Sequence, residues 1–232
     1  MRLDETLKTD VAKIFKDSWE ITNGQKIPDT TDVKLGNHGV KIEATILYAD
    51  LAESTGLVDD YTPEFAAEMY KAYLHCAVKI IRNNSGTIVS FDGDRVMAIF
   101  YGDSKNSGAV KSALQINYAV QKIINPAITD QYPKTSYKMV AACGVDTGEI
   151  MVARTGIRSN NDLVWIGRPA NYAAKLCGLR QAGYSTWITK EVFNNMNKSV
   201  TYGGNPERIM WESHTWQKYN VTVYRSSWYW KP

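Results

Sequence analysis

Apolar residues recur at steps of three and four along residues 3–19: Leu3, Leu7, Val11, Ile14 and Phe15, closing on Trp19. The spacing predicts an amphipathic helix. The polar stretch that follows is punctuated by Asn23-Gly24, Pro28-Asp29 and Gly36-Asn37 and reads as a linker. The pattern changes near Val40. Residues 41–49 (KIEATILYA) are an apolar, β-favouring run and predict a strand with Asp50 at its end. Thr62-Pro63 supplies an N-cap and a first-turn proline, and Phe65, Met69, Tyr73, Ala77 and Ile80 carry the helical step to about Arg82. Asn84-Ser85-Gly86 stops it. Residues 87–91 (TIVSF) and 96–100 (VMAIF) predict two strands around Asp92-Gly93, a strong hairpin signal. A second helix is expected over 105–124, with Asn117 as the one polar break in its stripe and Pro126 as its end. Residues 138–146 and 149–154 read as a hairpin turning at Thr147-Gly148. A short strand at 163–166, a helix at 169–179 and short strands at 186–188 and 221–225 complete the chain.

The order strand, helix, hairpin, helix, strand is that of a split βαβ, so the expected class is α+β with a ferredoxin-like βαββαβ core and additional strands. Residues 1–39 are expected to be a helix and linker, and 40–232 the main domain. One face of such a sheet is covered by helices. The other is available to a second copy or a ligand.

Composition narrows the classes. Apolar residues are 44% and charged residues 22%, an ordinary globular balance that excludes a disordered chain. No apolar stretch approaches the roughly 20 residues of a membrane span, and there is no signal-peptide pattern. The net charge of +3, from 27 basic and 24 acidic residues, is too mild for a protein that coats nucleic acid. Cys76, Cys143 and Cys177 are odd in number and far apart, which suggests reduced thiols in a cytoplasm. Three histidines without a CxxC argue against structural zinc. The expectation is a soluble cytoplasmic protein that neither spans a membrane nor binds nucleic acid.

Asp50 and Asp94 are the residues with chemical promise. Asp50 ends the first long strand, and Asp94 lies in the turn of the following hairpin. Sequential elements tend to be neighbours, so the two carboxylates are expected close together. Such a pair can hold Mg²⁺ or Mn²⁺ and leave room for phosphate oxygens. Aspartates are also common in turns, and spacing by itself favours that simpler account.

The flanking residues shift the balance. Residues 48–55 (YADLAEST), 90–100 (SFDGDRVMAIF), 144–149 (GVDTGE) and 167–176 (GRPANYAAKL) resemble, in order, four motifs of the class III nucleotidyl cyclases, the adenylate and guanylate cyclase family. Together they cover about residues 41–182. The resemblance implies a cyclase homology domain acting as a head-to-tail homodimer on a nucleoside triphosphate. It implies two divalent metal ions, Mn²⁺ or Mg²⁺, on Asp50 and Asp94, with the Leu51 carbonyl as a further ligand. Backbone N–H groups of Ala52, Glu53, Ser54 and Thr55 would hold phosphates. Asn171 would orient the ribose and Lys175 would stabilise the α-phosphate, where the family usually has Arg. Lys218 is the candidate for the family's triphosphate lysine. In the family, Asn171 and Lys175 would reach the metals from the partner chain, giving two equivalent sites.

The sequence departs from the purine cyclases at the base. Their base-reading Lys is replaced by Ser90, and their second polar reader by Val164, with Asp162 nearby. Tyr48 is bulky enough to narrow the pocket, and Arg95 is placed to reach a base carbonyl or a phosphate. This combination resembles the pyrimidine cyclases of bacterial Pycsar anti-phage systems. That resemblance implies a uridylate cyclase making cyclic UMP as a message to a separate effector in antiviral defence. A cytidylate cyclase making cyclic CMP, a purine cyclase and an inactive nucleotide-binding domain are the alternatives. The tryptophans at 211, 216, 228 and 230 are expected to pack over a core or interface.

Overall fold

The computed structural model describes residues 2–232. In chain order the elements begin with helix α1 (Leu3–Lys16), strands β1 (Glu20–Asn23) and β2 (His38–Leu51), and helices α2 (Ser54–Asp60) and α3 (Pro63–Asn83). There follow β3 (Thr87–Asp92), β4 (Arg95–Phe100), α4 (Lys105–Ala119), a π-helical turn (Val120–Ile124), α5 (Asn125–Gln131), β5 (Ala141–Ile157) and β6 (Asn160–Ile166). The chain ends with α6 (Arg168–Cys177), β7 (Thr186–Thr189), α7 (Lys190–Asn195), α8 (Lys198–Thr201), β8 (Tyr202–Gly203), β9 (Arg208–Ile209), β10 (Glu212–Trp216) and β11 (Val221–Ser226). Two compact units result: Met1–Glu43 with Glu149–Arg168, and Ala44–Gly148 with Pro169–Pro232.

In the first unit, α1 carries its apolar stripe fully exposed, and Asn37 Nδ2 caps its C-terminal end by donating to the Ile14 and Asp17 carbonyls at 2.8 and 2.7 Å. The helix stops three residues short of the expected end. The polar stretch after it is not all linker: β1 pairs in parallel with β2, Glu20 opposite His38. Its residues, Glu-Ile-Thr-Asn, are all exposed, so no alternation marks them as a strand. The expected turn at Thr147-Gly148 is also absent. β5 runs straight through it for 17 residues, and the turn falls at Arg158-Ser159, where Ser159 takes a positive φ. β6 then returns antiparallel along the distal half of β5, Met151 opposite Ile166.

The second unit contains the main sheet, in the order β10-β11-β7-β5-β2-β4-β3. The run β5-β2-β4-β3 places the fourth, first, third and second core strands side by side, the ferredoxin-like order. Strand alternation sorts the side chains. Leu47, Ala49 and Leu51 of β2 and Val96, Ala98 and Phe100 of β4 join α3 and α4 in one core with Met69, Tyr73, Ala77 and Leu114. The intervening residues Tyr48, Asp50, Arg95 and Met97 therefore belong to the opposite face.

Pro126 does not end the second long helix. The π turn widens the spiral, so Asn125 donates to the Val120 carbonyl, and the proline enters at the start of α5 where a missing N–H costs little. The polar break Asn117 has a structural partner: its Nδ2 donates to the Trp228 carbonyl at 2.9 Å, pinning the C-terminal segment to α4. Trp211 and Trp216 are buried, and Trp228 and Trp230 pack on the core. Beneath the sheet, Thr45 Oγ1 is 2.9 Å from both Asn106 Oδ1 and Thr147 Oγ1, so buried hydroxyls cross-link β2, β5 and α4.

Helix α6 lies directly on β5 at Gly144. A Cβ there would stand 2.2 Å from the Ala173 carbonyl oxygen and 2.3 Å from the Cys177 nitrogen, both backbone atoms. Only glycine lets the helix approach this closely. Gly144→Ala is expected to cost about 3 kcal/mol or more, because backbone cannot step aside as a side-chain tip can. A urea melt should show this as a lowered midpoint. An unchanged midpoint would mean that α6 is free to lift off the strand.

Candidate functional site

The second unit gathers two groups of polar residues. The first is built on the ends of β2 and the β3–β4 hairpin. The hairpin loop is Gly93-Asp94, with Gly93 at φ +60 in the first central position, the conformation a tight two-residue turn demands. Asp50 is the next-to-last residue of β2 and is 5% exposed. Its Oδ2 accepts from Arg95 Nη2 and from Arg180 Nη2, both at 2.9 Å. Burial opposes the charge on Arg95, but the hydrogen bond and attraction from Asp50 outweigh it and hold that guanidinium above its usual range. Arg180, in the segment after α6, carries no sequence signal that singles it out.

Asp94 Oδ2 is buried and has no hydrogen-bond partner among the described residues. A buried carboxylate oxygen without a donor is a place that a cation satisfies. Asp50 and Asp94 both act on one neighbour, Tyr70. Its hydroxyl is pushed up first by burial, then by Asp94, against a hydrogen bond with Ser54, and finally by Asp50. The oxygens gathered here are thus those of two carboxylates. No cluster of three or more His, Cys, Asp or Glu suited to a metal occurs among the described residues. Hard oxygen donors of this kind suit Mg²⁺ or Mn²⁺, so the residues fit such an ion.

The segment after Asp50 bends sharply. Glu53 stands at φ 60, left-handed for a non-glycine residue, at the entry to α2. The Ala52 N–H is already spent on the Val140 carbonyl at 2.8 Å. Of the four residues expected to offer N–H groups, Glu53, Ser54 and Thr55 are the ones left to do so.

The second group forms on α6 and the β10–β11 turn. Asn171 and Lys175, four residues apart, share the exposed face of α6. Lys175 Nζ sits 5.3 Å from the centre of the Tyr219 ring, and Lys218 Nζ sits 5.7 Å from it. Tyr172 and Trp216 pack against the same ring at 5.3 and 4.5 Å. Two candidate phosphate-binding cations therefore converge on one phenol that the sequence did not flag. A tyrosine in a polar turn looks like any surface tyrosine until the fold brings α6 beside it. Val164 lies on β6 in the first unit, opposite Ala153.

Between the groups is a cavity of about 360 Å³ lined by Tyr48, Ser90, Phe91, Asp92, Arg95, Met97 and Ala174. Strand register builds it: Tyr48 stands opposite Met97, Met97 opposite Ser90, and Arg95 opposite Asp92. A bulge at Val89 sets Ser90 into that row. Burial raises the Tyr48 phenol, with Arg95 opposing and Cys177 and Asp92 adding to the rise.

No family model matches the chain. It is 42% identical to a uridylate cyclase of Xanthomonas perforans over 234 residues, covering 100% of this chain and 99% of that protein. It is 43% identical to a uridylate cyclase of Burkholderia cepacia over 232 residues, with 99% of each covered. Among solved structures, the adenylyl cyclase CyaB from P. aeruginosa superposes with a TM-score of 0.69 at 21% identity, over 81% of this chain and 95% of that one. The guanylyl cyclase Cya2 gives 0.68 at 18%, over 84% and 96%.

The Tyr219 phenol is lowered first by its hydrogen bond with Lys175, against desolvation, with the charges of Lys175 and Lys218 adding. In an ultraviolet pH titration, Tyr219 should ionise ahead of ordinary tyrosines. The early step should vanish in Tyr219→Phe and move to higher pH in Lys175→Ala. An unchanged curve in both variants would mean that the lysines do not bear on the ring in solution.

Proposed function

The chain belongs to the uridylate cyclases, with the class III cyclase fold, and on that premise we propose that it converts UTP to cyclic 3′,5′-UMP and pyrophosphate. The ribose 3′-oxygen attacks the α-phosphorus, the bond to the pyrophosphate oxygen breaks, and the hydroxyl proton leaves to solvent. The observation that carries the base assignment is the small cavity beside Tyr48. Its walls offer no lysine to read a purine, and the Tyr48 side chain in the wall narrows the space for a second ring.

Asp50 and Asp94, with the Leu51 carbonyl, are the residues that would hold two divalent ions, Mg²⁺ or Mn²⁺. When bound, such ions neutralise the triphosphate and acidify the 3′-hydroxyl. Around them, the N–H groups of Glu53, Ser54 and Thr55 point at phosphate oxygens. Lys218 binds the triphosphate, Lys175 meets charge developing on the α-phosphate, and Asn171 holds the ribose in line. Lys175 lacks the bidentate fork of the family's arginine, and Tyr219 positions its amine instead.

Among the described residues, no hydrogen bond or ion pair joins Asp50 or Asp94 to Asn171, Lys175 or Tyr219 directly, which supports a head-to-tail homodimer in which each site takes one group from each protomer. We further propose a cytoplasmic enzyme whose product acts on a separate effector in bacterial antiviral defence. The pyrimidine-cyclase motifs support that role. No helix among the described residues is long and apolar enough to cross a membrane.

Incubation with each of the four ribonucleoside triphosphates and Mn²⁺ should give cyclic UMP as the main product. Preference for ATP or GTP would sink the base assignment and leave the cyclase reading. Asp50→Asn and Asp94→Asn should each lower turnover by about a hundredfold or more while the protein stays folded. Near-normal turnover in either would remove the metal assignment.

The shared site has its own test. Asp50→Ala and Lys175→Ala, inactive separately, should regain activity on mixing, up to about half per heterodimer, because one of its two sites carries neither lesion. Absence of recovery with confirmed subunit exchange would place each site within one protomer.

A further inference from the structure

Asp92 is the one anionic side chain in the wall of the cavity beside Tyr48. It shares a sheet face with Ser90 and stands opposite Arg95 across the hairpin. It is exposed, and among the described residues its carboxylate enters no hydrogen bond or ion pair with Arg95 or any other side chain. Arg95 spends Nη2 on Asp50, while its Nε is buried and without a partner. The cavity wall therefore offers an acceptor at Asp92, an unused donor at Arg95, and the hydroxyls of Tyr48 and Ser90, which can donate or accept.

Uracil presents an edge of carbonyl, N3–H and carbonyl. Its complement is donor, acceptor, donor. Cytosine presents a carbonyl, a bare N3 lone pair and an amino group, and a carboxylate opposite N3 would meet a second acceptor. We propose that Asp92 reads the base by accepting a hydrogen bond from uracil N3–H, with the Arg95 guanidinium and a hydroxyl of Tyr48 or Ser90 donating to the two flanking carbonyls. This inference rests on UTP being the substrate. It makes Asp92 a specificity residue rather than part of the reacting centre, because the roles toward metal and phosphate fall to other residues.

The same reading explains how Ser90 can replace a purine-reading lysine without leaving the pocket silent. A lysine at that position would stand in the cross-strand row beside the carboxylate and pair with it. A serine leaves the Asp92 carboxylate without a lysine partner and able to accept.

The test uses the full-length enzyme, the triphosphates UTP, CTP and N3-methyl-UTP, and kcat/KM for each. Wild type should reject N3-methyl-UTP strongly, since the methyl group removes the donor. Asp92→Asn, whose amide can donate to a bare N3, should lower the UTP-to-CTP preference by about tenfold or more. Asp92→Ala should narrow the gap between UTP and N3-methyl-UTP by a similar factor. Circular dichroism would verify that both variants keep the fold. If wild type uses UTP but both ratios are unchanged in the variants, Asp92 does not read the base and the UTP assignment survives. If wild type prefers another triphosphate, the UTP assignment fails, and this inference with it.

Discussion

The Asp50 carboxylate ends a core strand at a depth where an unpaired charge is costly, and two arginines from different elements share one of its oxygens. Arg95 comes from the strand paired with β2, and Arg180 from the segment that follows α6. One buried oxygen thus ties the sheet to the end of the helix that bears Asn171 and Lys175. Removing either arginine would leave Asp50 with a single cation. Removing Asp50 would leave two guanidiniums facing each other. The pairing also links Asp50 to the proposed base pocket, because the Arg95 side chain that holds Asp50 lines the Tyr48 cavity.

Alternation along β2 decides what this arrangement can present. Leu47, Ala49 and Leu51 go into the core with α3 and α4, which leaves Tyr48 and Asp50 on the other face. A slip of one residue would turn Tyr48 and Asp50 toward the helices of the core and the three core residues to the opposite face. The core thereby fixes the register of the site. The bulge at Val89 then corrects β3 locally, so that Ser90 meets Met97. Gly144 does for α6 what register does for the strands: it sets how near the helix stands to the sheet.

The cations proposed to handle phosphate are organised differently. Lys175 and Lys218 are held beside an aromatic ring rather than by carboxylates, which leaves their charge available to an anion. Trp216 and Tyr172 steady that ring from behind. This gives the Trp-rich end of the chain a part in the proposed chemistry through packing, consistent with Trp216 being buried.

Local pattern by itself determined the ferredoxin-like core. The strand before Asp50, the capped helix from Pro63 and the Asp92–Asp94 hairpin all carry signals confined to neighbouring residues: alternation, an N-cap with proline, and a glycine that must take positive φ. The four motifs singled out Asp50, Asp94, Asn171 and Lys175 as candidates because each lies within a short contiguous stretch. Where partners are distant in sequence, local pattern was silent or misleading. β1 is a strand only because β2 pairs with it, Thr147-Gly148 continues a strand because Thr45 and β7 hold β5 on both sides, and Pro126 is tolerated because a π turn precedes it. Arg180, Tyr219 and Asp92 gain their meaning only from tertiary structure. A guanidinium beside Asp50, a ring beneath two lysines and a free carboxylate in a small cavity are relations between residues that no spacing along the chain encodes.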